Sequence, residues 1–283
     1  MWNSHSLFLR GRSAAFHIGS GVEFLAAIKV GYVVSGLIVG TLVGLTGVGG
    51  GSLMTPILIL MFHITPVAAV GTDLLYAAAT KTVGSAMHRA HNTIDLKIVG
   101  RLALGSVPAA ILMIALLHSL GLTSDKTNLY VSYVLAAALF VTAIALVFRD
   151  KLLRYYSRRF GKFDEHQTLR YTVLTGAILG ALVSCTSVGA GALGVTALIV
   201  LYPKMPVVRL VGSDIAHAVP LTLVAGAGHW LLGNINFALM GTLLLGSIPG
   251  ILIGSYLAPR VPELYLRRAM AFVLAVVAVR LVM

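Results

Sequence analysis

The chain has 283 residues, of which 11% are charged and 58% hydrophobic, with a formal net charge of +12 and a mean hydropathy of +0.94. A soluble globular chain carries about 25% charged residues, so this composition excludes that class and describes an integral membrane protein. The basic residues fall in short connectors between apolar runs, which is the positive-inside pattern and not the continuous basic stripe of a nucleic-acid-binding surface.

Residues 1–26 form a polar or amphipathic N-terminal segment. Arg10, Arg12, His17 and Glu23 break up each short apolar run before Ala26, so no signal peptide is expected there. A spanning helix needs about 20 apolar residues. By that ruler residues 27–148 make a first membrane repeat: Ala27–Thr46, a short segment Ser52–Phe62, then Val67–Met87, Leu96–Leu120 and Tyr130–Phe148. A basic connector, residues 149–170, carries seven Lys/Arg. Residues 171–283 make a second repeat: Tyr171–Cys185, a short segment Ala192–Tyr202, then Val207–Leu232, Phe237–Leu257 and Leu264–Met283. The predicted fold class is all-α, a polytopic helical membrane protein built from two homologous repeats of about five helices.

The repeats are legible residue by residue. Gly71-Thr-Asp73 matches Gly212-Ser-Asp214, His88 matches His229, and Gly105-Ser-Val-Pro108 matches Gly246-Ser-Ile-Pro249, all at one constant spacing. Each repeat contains an interrupted helix. In the first, Gly44, Gly47, Gly49, Gly50 and Gly51 crowd into eight positions inside an apolar stretch. A glycine costs roughly 1 kcal/mol against alanine in a helix interior. Open backbone at membrane depth is tolerated only where protein buries it or a watery cavity meets it. The second repeat echoes this at Ser184–Leu193, at a spacing one position shorter, so one residue was gained or lost near Pro66 and Pro206. Both short segments are too brief to cross a bilayer, so each completes the broken helix before it or turns back. The charge distribution does not decide between parallel and inverted repeats. Inverted repeats are preferred, because duplicated transporters with paired broken helices place their site at the midplane on a pseudo-two-fold axis.

With Gly47–Pro56 (Gly-Val-Gly-Gly-Gly-Ser-x-x-x-Pro), the Gly-Thr-x pattern at Gly71, their echoes at Gly189 and Gly212, and His229 followed by Gly233-Asn-Ile, the chain resembles the sulfite exporter TauE/SafE family. That family is also called the toluenesulfonate uptake permease family. The resemblance covers about Ala27 to Arg260. It implies a multi-pass transporter of the cytoplasmic (inner) membrane that carries sulfur-containing anions such as sulfite or organosulfonates. Asp73 and Asp214 depart from it, since that position is more often small and neutral in the family. The expected partners are a small sulfur-containing anion and the lipid bilayer, with no nucleic acid; a homodimer is an open option.

The residues suggest how such an anion would be held. Helix N-termini present unpaired N–H groups and the positive end of a dipole. Gly49, Gly50 and Gly51, and Gly189 and Gly191, precede the two short helices, and bare backbone lets an anion approach. Thr46, Ser52, Thr72, Thr186, Ser187 and Ser213 supply hydroxyls, which completes the candidate binding set. The bland alternative is that these glycines serve close helix packing. Asp73 and Asp214 read either as a proton- or cation-coupling pair or as carboxylates that brace the broken helices; an intramembrane acid is costly enough to suggest function. Lys81, which has Thr222 as its counterpart, reads as a positive charge on the anion's path or as a side chain reaching toward the headgroups. His217, three residues after Asp214, joins the coupling or gating candidates, against a plain hydrogen-bonding role within the bundle. Cys185 reads as a small packing residue. No Walker A segment, Gly-x-Ser-x-Gly or His-Glu-x-x-His motif occurs, so a secondary transporter without cofactor or catalytic metal is expected, with an uncoupled anion channel as the alternative and an enzyme disfavoured.

Overall fold

The computed structural model describes residues 30–46, 51–119, 125–159, 164–257 and 260–283. The N-terminal segment 1–26 therefore lies outside the described residues, as do Gly47, Gly49 and Gly50. Ten α-helices and no strands are found among the described residues: α1 (Val30–Thr46), α2 (Gly51–Leu60), α3 (Pro66–Ala90), α4 (Leu96–Ser119), α5 (Asp125–Arg159), α6 (Glu165–Thr186), α7 (Ala192–Leu201), α8 (Val207–Leu231), α9 (Phe237–Leu257) and α10 (Glu263–Val282). Helices α4, α5, α6, α8 and α9 each contain a stretch long and apolar enough to cross a membrane. Helices α2 and α7, at 10 residues each, rise about 15 Å, half of a bilayer's hydrocarbon core.

The basic stretch after Phe148 is mostly helical. Helix α5 continues to Arg159, and α6 already begins at Glu165 behind a capping box in which Asp164 receives the Glu165 N–H and Gln167 receives the Asp164 N–H. Such a box saturates donors that a helix start leaves open, so α6 starts six residues earlier than its apolar pattern indicates.

Two tightly packed helix pairs dominate. Gly36, Gly40 and Gly44 of α1 lie on Leu243, Ser247 and Ile251 of α9, while Gly246, Gly250 and Gly254 of α9 lie on Val33, Leu37 and Thr41 of α1. At each contact an added Cβ would overlap a backbone carbonyl of the other helix. Glycines four apart let the two backbones touch, a recurrent solution in membranes where dispersion replaces the hydrophobic effect. Helices α4 and α6 repeat the arrangement through Gly105, Gly176 and Gly180. In both pairs the contacts advance together along the sequence, so the partners run parallel.

Helices α3 and α8, which carry the Gly71 and Gly212 motifs, pack antiparallel. Gly71 lies against His229 and Asn234, Gly84 against Ile215, Gly226 against Leu75, and Gly212 against His88 and Thr93. Each start is fastened to the turn after the other helix. The Asn236 N–H donates to Thr72 Oγ1 at 3.1 Å, and the Asp95 N–H donates to Ser213 Oγ at 2.8 Å. Asp95 and Asn236 in turn cap the first N–H groups of α4 and α9.

The broken pairs are re-entrant. Tyr32 near the start of α1 packs at a tilt against Phe62 just after α2, with centroids 4.4 Å apart, so this pair returns to its starting end. Thr172 near the start of α6 hydrogen-bonds the Tyr202 hydroxyl just after α7 at 2.9 Å, so the second pair also returns. The two pairs enter from opposite ends of the bundle. One end gathers Arg89, Lys97 and Arg101 with Arg170, Lys204 and Arg209, tied together where Arg101 meets Glu165 at 3.0 Å and Tyr202 at 3.3 Å. The other end holds the start of α1, the α2–α3 turn and the α8–α9 turn.

Candidate functional site

The middle of the bundle is where the re-entrant tips meet α3 and α8. Leu53 and Met54 of α2 share one buried apolar cluster with Val188 and Ala192 from the second tip, which brings the two interrupted segments together. Asp73 stands between them. It is fully buried; its Oδ2 accepts the Thr55 hydroxyl of α2, and Ser187 of the second tip lies beside it. Asp214, also fully buried, lies against the first turn of α7, next to the Gly191 backbone and so close to Gly194 that a Cβ there would overlap its Oδ1.

Each acid thus meets the half-helix of its own repeat, Asp73 at mid-helix Thr55 and Asp214 at the first turn of α7, where the helix dipole favours negative charge. Neither is saturated. Asp73 Oδ1 and both Asp214 oxygens have no hydrogen-bond partner among the described residues. Lys81, one of few buried cations, interacts electrostatically with both Asp214 and Asp73. If all three groups are ionised, the cluster carries one net negative charge in a low-dielectric setting.

Two hydroxyl contacts frame this cluster symmetrically. His217 Nε2 and Ser106 Oγ are 2.8 Å apart, and the Tyr76 hydroxyl donates to Ser247 Oγ at 2.8 Å. Tyr76 and His217 are counterparts at the repeat spacing, as are Ser106 and Ser247. His217 Nδ1 is buried without a partner among the described residues. Tyr76 and the serines of the Gly-Ser-x-Pro motifs were not singled out from sequence. The same register that reveals the duplication would have found them.

The other sequence candidates are placed as follows. Gly189 and Gly191 adopt φ values of 119° and 111°, open to glycine alone, and Gly191 caps α7 with no side-chain bond. Thr186 Oγ1 is engaged with Leu182 O and the Val188 N–H, so it braces the tip. Thr72 and Ser213 use their hydroxyls to hold the turns of the opposite repeat, as described above. Thr46 ends α1, and Gly51 and Ser52 open α2, but the side chains of Thr46 and Ser52, like Gly49 and Gly50 altogether, lie outside the described residues. Cys185 is buried in an apolar cluster with Val183 and Leu221, a packing position. No group of three His, Cys, Asp or Glu able to hold a metal occurs among the described residues.

A cavity of about 220 Å³ opens at the basic end and reaches Lys81, between Gly44 of α1, His88 of α3, Ile215 of α8, and Ile251 and Ser255 of α9. The cavity thus leads from the basic end to Lys81, which interacts electrostatically with the two buried acids where the half-helices meet. The model of the sulfite exporter TauE/SafE family matches residues 32–281. The chain belongs to that family. A relative from Bacillus subtilis (strain 168), the probable membrane transporter protein YjnA, is 40% identical over 258 residues, covering 90% of this chain and all of the relative. Another from the same organism, the probable membrane transporter protein YdhB, is 24% identical over 209 residues, 73% of this chain and 81% of the relative. No solved structure matches the chain. The protein is a multi-pass membrane transporter of the TauE/SafE family.

Proposed function

We propose that this TauE/SafE transporter moves a sulfur-containing anion, sulfite or an organosulfonate, across the cytoplasmic membrane, with export favoured and with Asp73 and Asp214 as its coupling groups. The observation that carries the reading is the pair of buried, unsaturated carboxylates facing the half-helices, in electrostatic reach of Lys81, which lines the cavity at the basic end. A buried charge without full compensation costs several kcal/mol, so such a cluster invites a proton or cation. An anion approaching two ionised acids in low dielectric is repelled. Binding therefore goes with protonation or cation pairing of at least one of them, which links anion and cation movements.

The repeats are inverted in this reading. Its support is the antiparallel contact of α3 with α8, matching helices of the two halves, together with re-entrant pairs that start from opposite ends. The basic end then faces the cytoplasm by the positive-inside rule. An inside-negative potential favours export only by the net negative charge that crosses, about 2.3 kcal/mol per net charge per 100 mV, so export is driven where the anion carries more charge than the cation bound with it.

The test is flux in proteoliposomes with sulfite, sulfate, thiosulfate and sulfoacetate, with and without a pH gradient. Saturable flux that supports counterflow and responds to the gradient is expected. Conductance far above carrier turnover would replace the carrier by a channel, and flux indifferent to all four anions would remove the substrate class.

A further inference from the structure

The basic-end cavity has a counterpart at the opposite end, and that counterpart is shut. Moving its lining by the repeat interval carries Gly84, Ile215 and Ile251 to Ala225, Leu74 and Ala110, which are all buried in one apolar cluster. The shut side also carries one directional polar contact. His229 Nε2–H donates to the Ser184 carbonyl at 2.9 Å, and both residues are buried. That carbonyl is available because α6 ends two residues later, at Thr186, and the last four carbonyls of a helix have no partner within it.

The open side holds the same two parts unjoined. Gly44, the counterpart of Ser184 in the register of the glycine segments, lies two residues before the end of α1, and His88 is the counterpart of His229. Both line the cavity. Here His88 Nδ1 is instead 2.8 Å from Thr93 Oγ1, whose hydroxyl donates to the His88 carbonyl at 2.9 Å, so the ring donates to Thr93.

We propose that His229 and His88 are reciprocal gate latches: His229 on the Ser184 carbonyl closes the opposite side in this state, and His88 on the Gly44 carbonyl closes the basic side in the other. Exchange between the states releases one contact and makes the other. The His88 ring leaves Thr93, gives up its Nδ1 proton and takes one on Nε2 by exchange with solvent in the open cavity, and so presents an Nε2–H as His229 does now. The inference rests on reading the protein as an alternating-access carrier, but not on which anion it carries.

The test uses no substrate, so its failure is separable from failure of the flux assay. Cys185, the single cysteine, is buried on the shut side and reports opening there through its rate of modification by a membrane-impermeant maleimide applied from that side. His229→Ala should speed Cys185 labelling about fivefold, and His88→Ala should slow it by a similar factor, the population change that one net hydrogen bond supports. A second probe, Ser255→Cys in a Cys185→Ala background, reports the basic-end cavity and should not label faster in His229→Ala. The proposal is overturned if both histidine variants move Cys185 labelling in the same direction, if neither moves it, or if both probes accelerate together in His229→Ala. Should His229→Ala not fold, His88→Ala decides alone: slower Cys185 labelling sustains the latch, and unchanged or faster labelling overturns it.

Discussion

Gly194 shows how much of this site depends on single atoms. Its missing side chain makes room for the Asp214 carboxylate, and a Cβ would overlap Oδ1. Overpacking of this kind costs about 1–3 kcal/mol, and here it falls on a carboxylate already short of partners. Gly194→Ala is expected to cut flux about tenfold or more in proteoliposomes, whereas Gly100→Ala, where an added Cβ meets nothing within 4 Å, should transport normally. The acids themselves predict a change in pH response. If anion binding requires a proton on Asp73 or Asp214, then Asp73→Asn or Asp214→Asn flattens the pH profile of substrate binding; an unaltered profile in both variants would remove the coupling role. Tyr76→Phe deletes the donor to Ser247 but keeps the ring, and should lower thermal stability in detergent by the roughly 1 kcal/mol that a net hydrogen bond provides.

At the scale of elements, the parallel pairs α1–α9 and α4–α6 are the rigid parts, because glycine faces bring backbone onto backbone over several turns. Gly246→Val or Gly105→Val forces a branched side chain into a neighbouring carbonyl, at Val33 or Val173 respectively. Either is expected to lower the melting temperature in detergent sharply and to broaden the size-exclusion profile, far more than Gly100→Val. The half-helices α2 and α7 differ in kind. Helix α2 rests chiefly on α3, and α7 lies among α5, α6 and α8; each also meets one of the acids, so a charge change at Asp73 or Asp214 acts directly on them. The turns that Thr72 and Ser213 fasten tie each half to the other by a backbone N–H, which couples the two repeats at both ends of the bundle.

For the whole molecule, a cavity lies at one end and a sealed apolar cluster at the other, which in the proposed alternating access is one of two states. Its orientation is testable. With the basic end in the cytoplasm, a cysteine at exposed His63 in a Cys185→Ala background should react with an impermeant maleimide on intact cells. One at exposed Lys204 should react only after permeabilisation. The reverse pattern would turn the transporter over in the membrane and make the cavity outward-facing. If the substrate is an anion as proposed, the basic residues at that end would favour its capture there by long-range attraction, an effect that raised salt should weaken.

Residue order alone reveals what is local or periodic: the membrane class, the apolar segments, the duplication at a constant interval, the two interruptions, and two intramembrane acids whose role it leaves open between coupling and bracing. Those follow from composition, from the length a bilayer demands and from the cost of burying charge. The helical extent of the basic stretch after Phe148 escaped that reading, since capping and helix propensity carry α5 and α6 beyond their apolar limits. Three-dimensional packing was needed to show that both broken pairs turn back to the end they came from, and that Thr72 and Ser213 commit their hydroxyls to the opposite repeat. Packing also brought Lys81 into electrostatic reach of both acids, and set Tyr76 and His217 on matching serines. Each of these joins segments far apart in the chain, or depends on the direction in which one helix crosses another, and neither quantity is encoded in the period of a single segment.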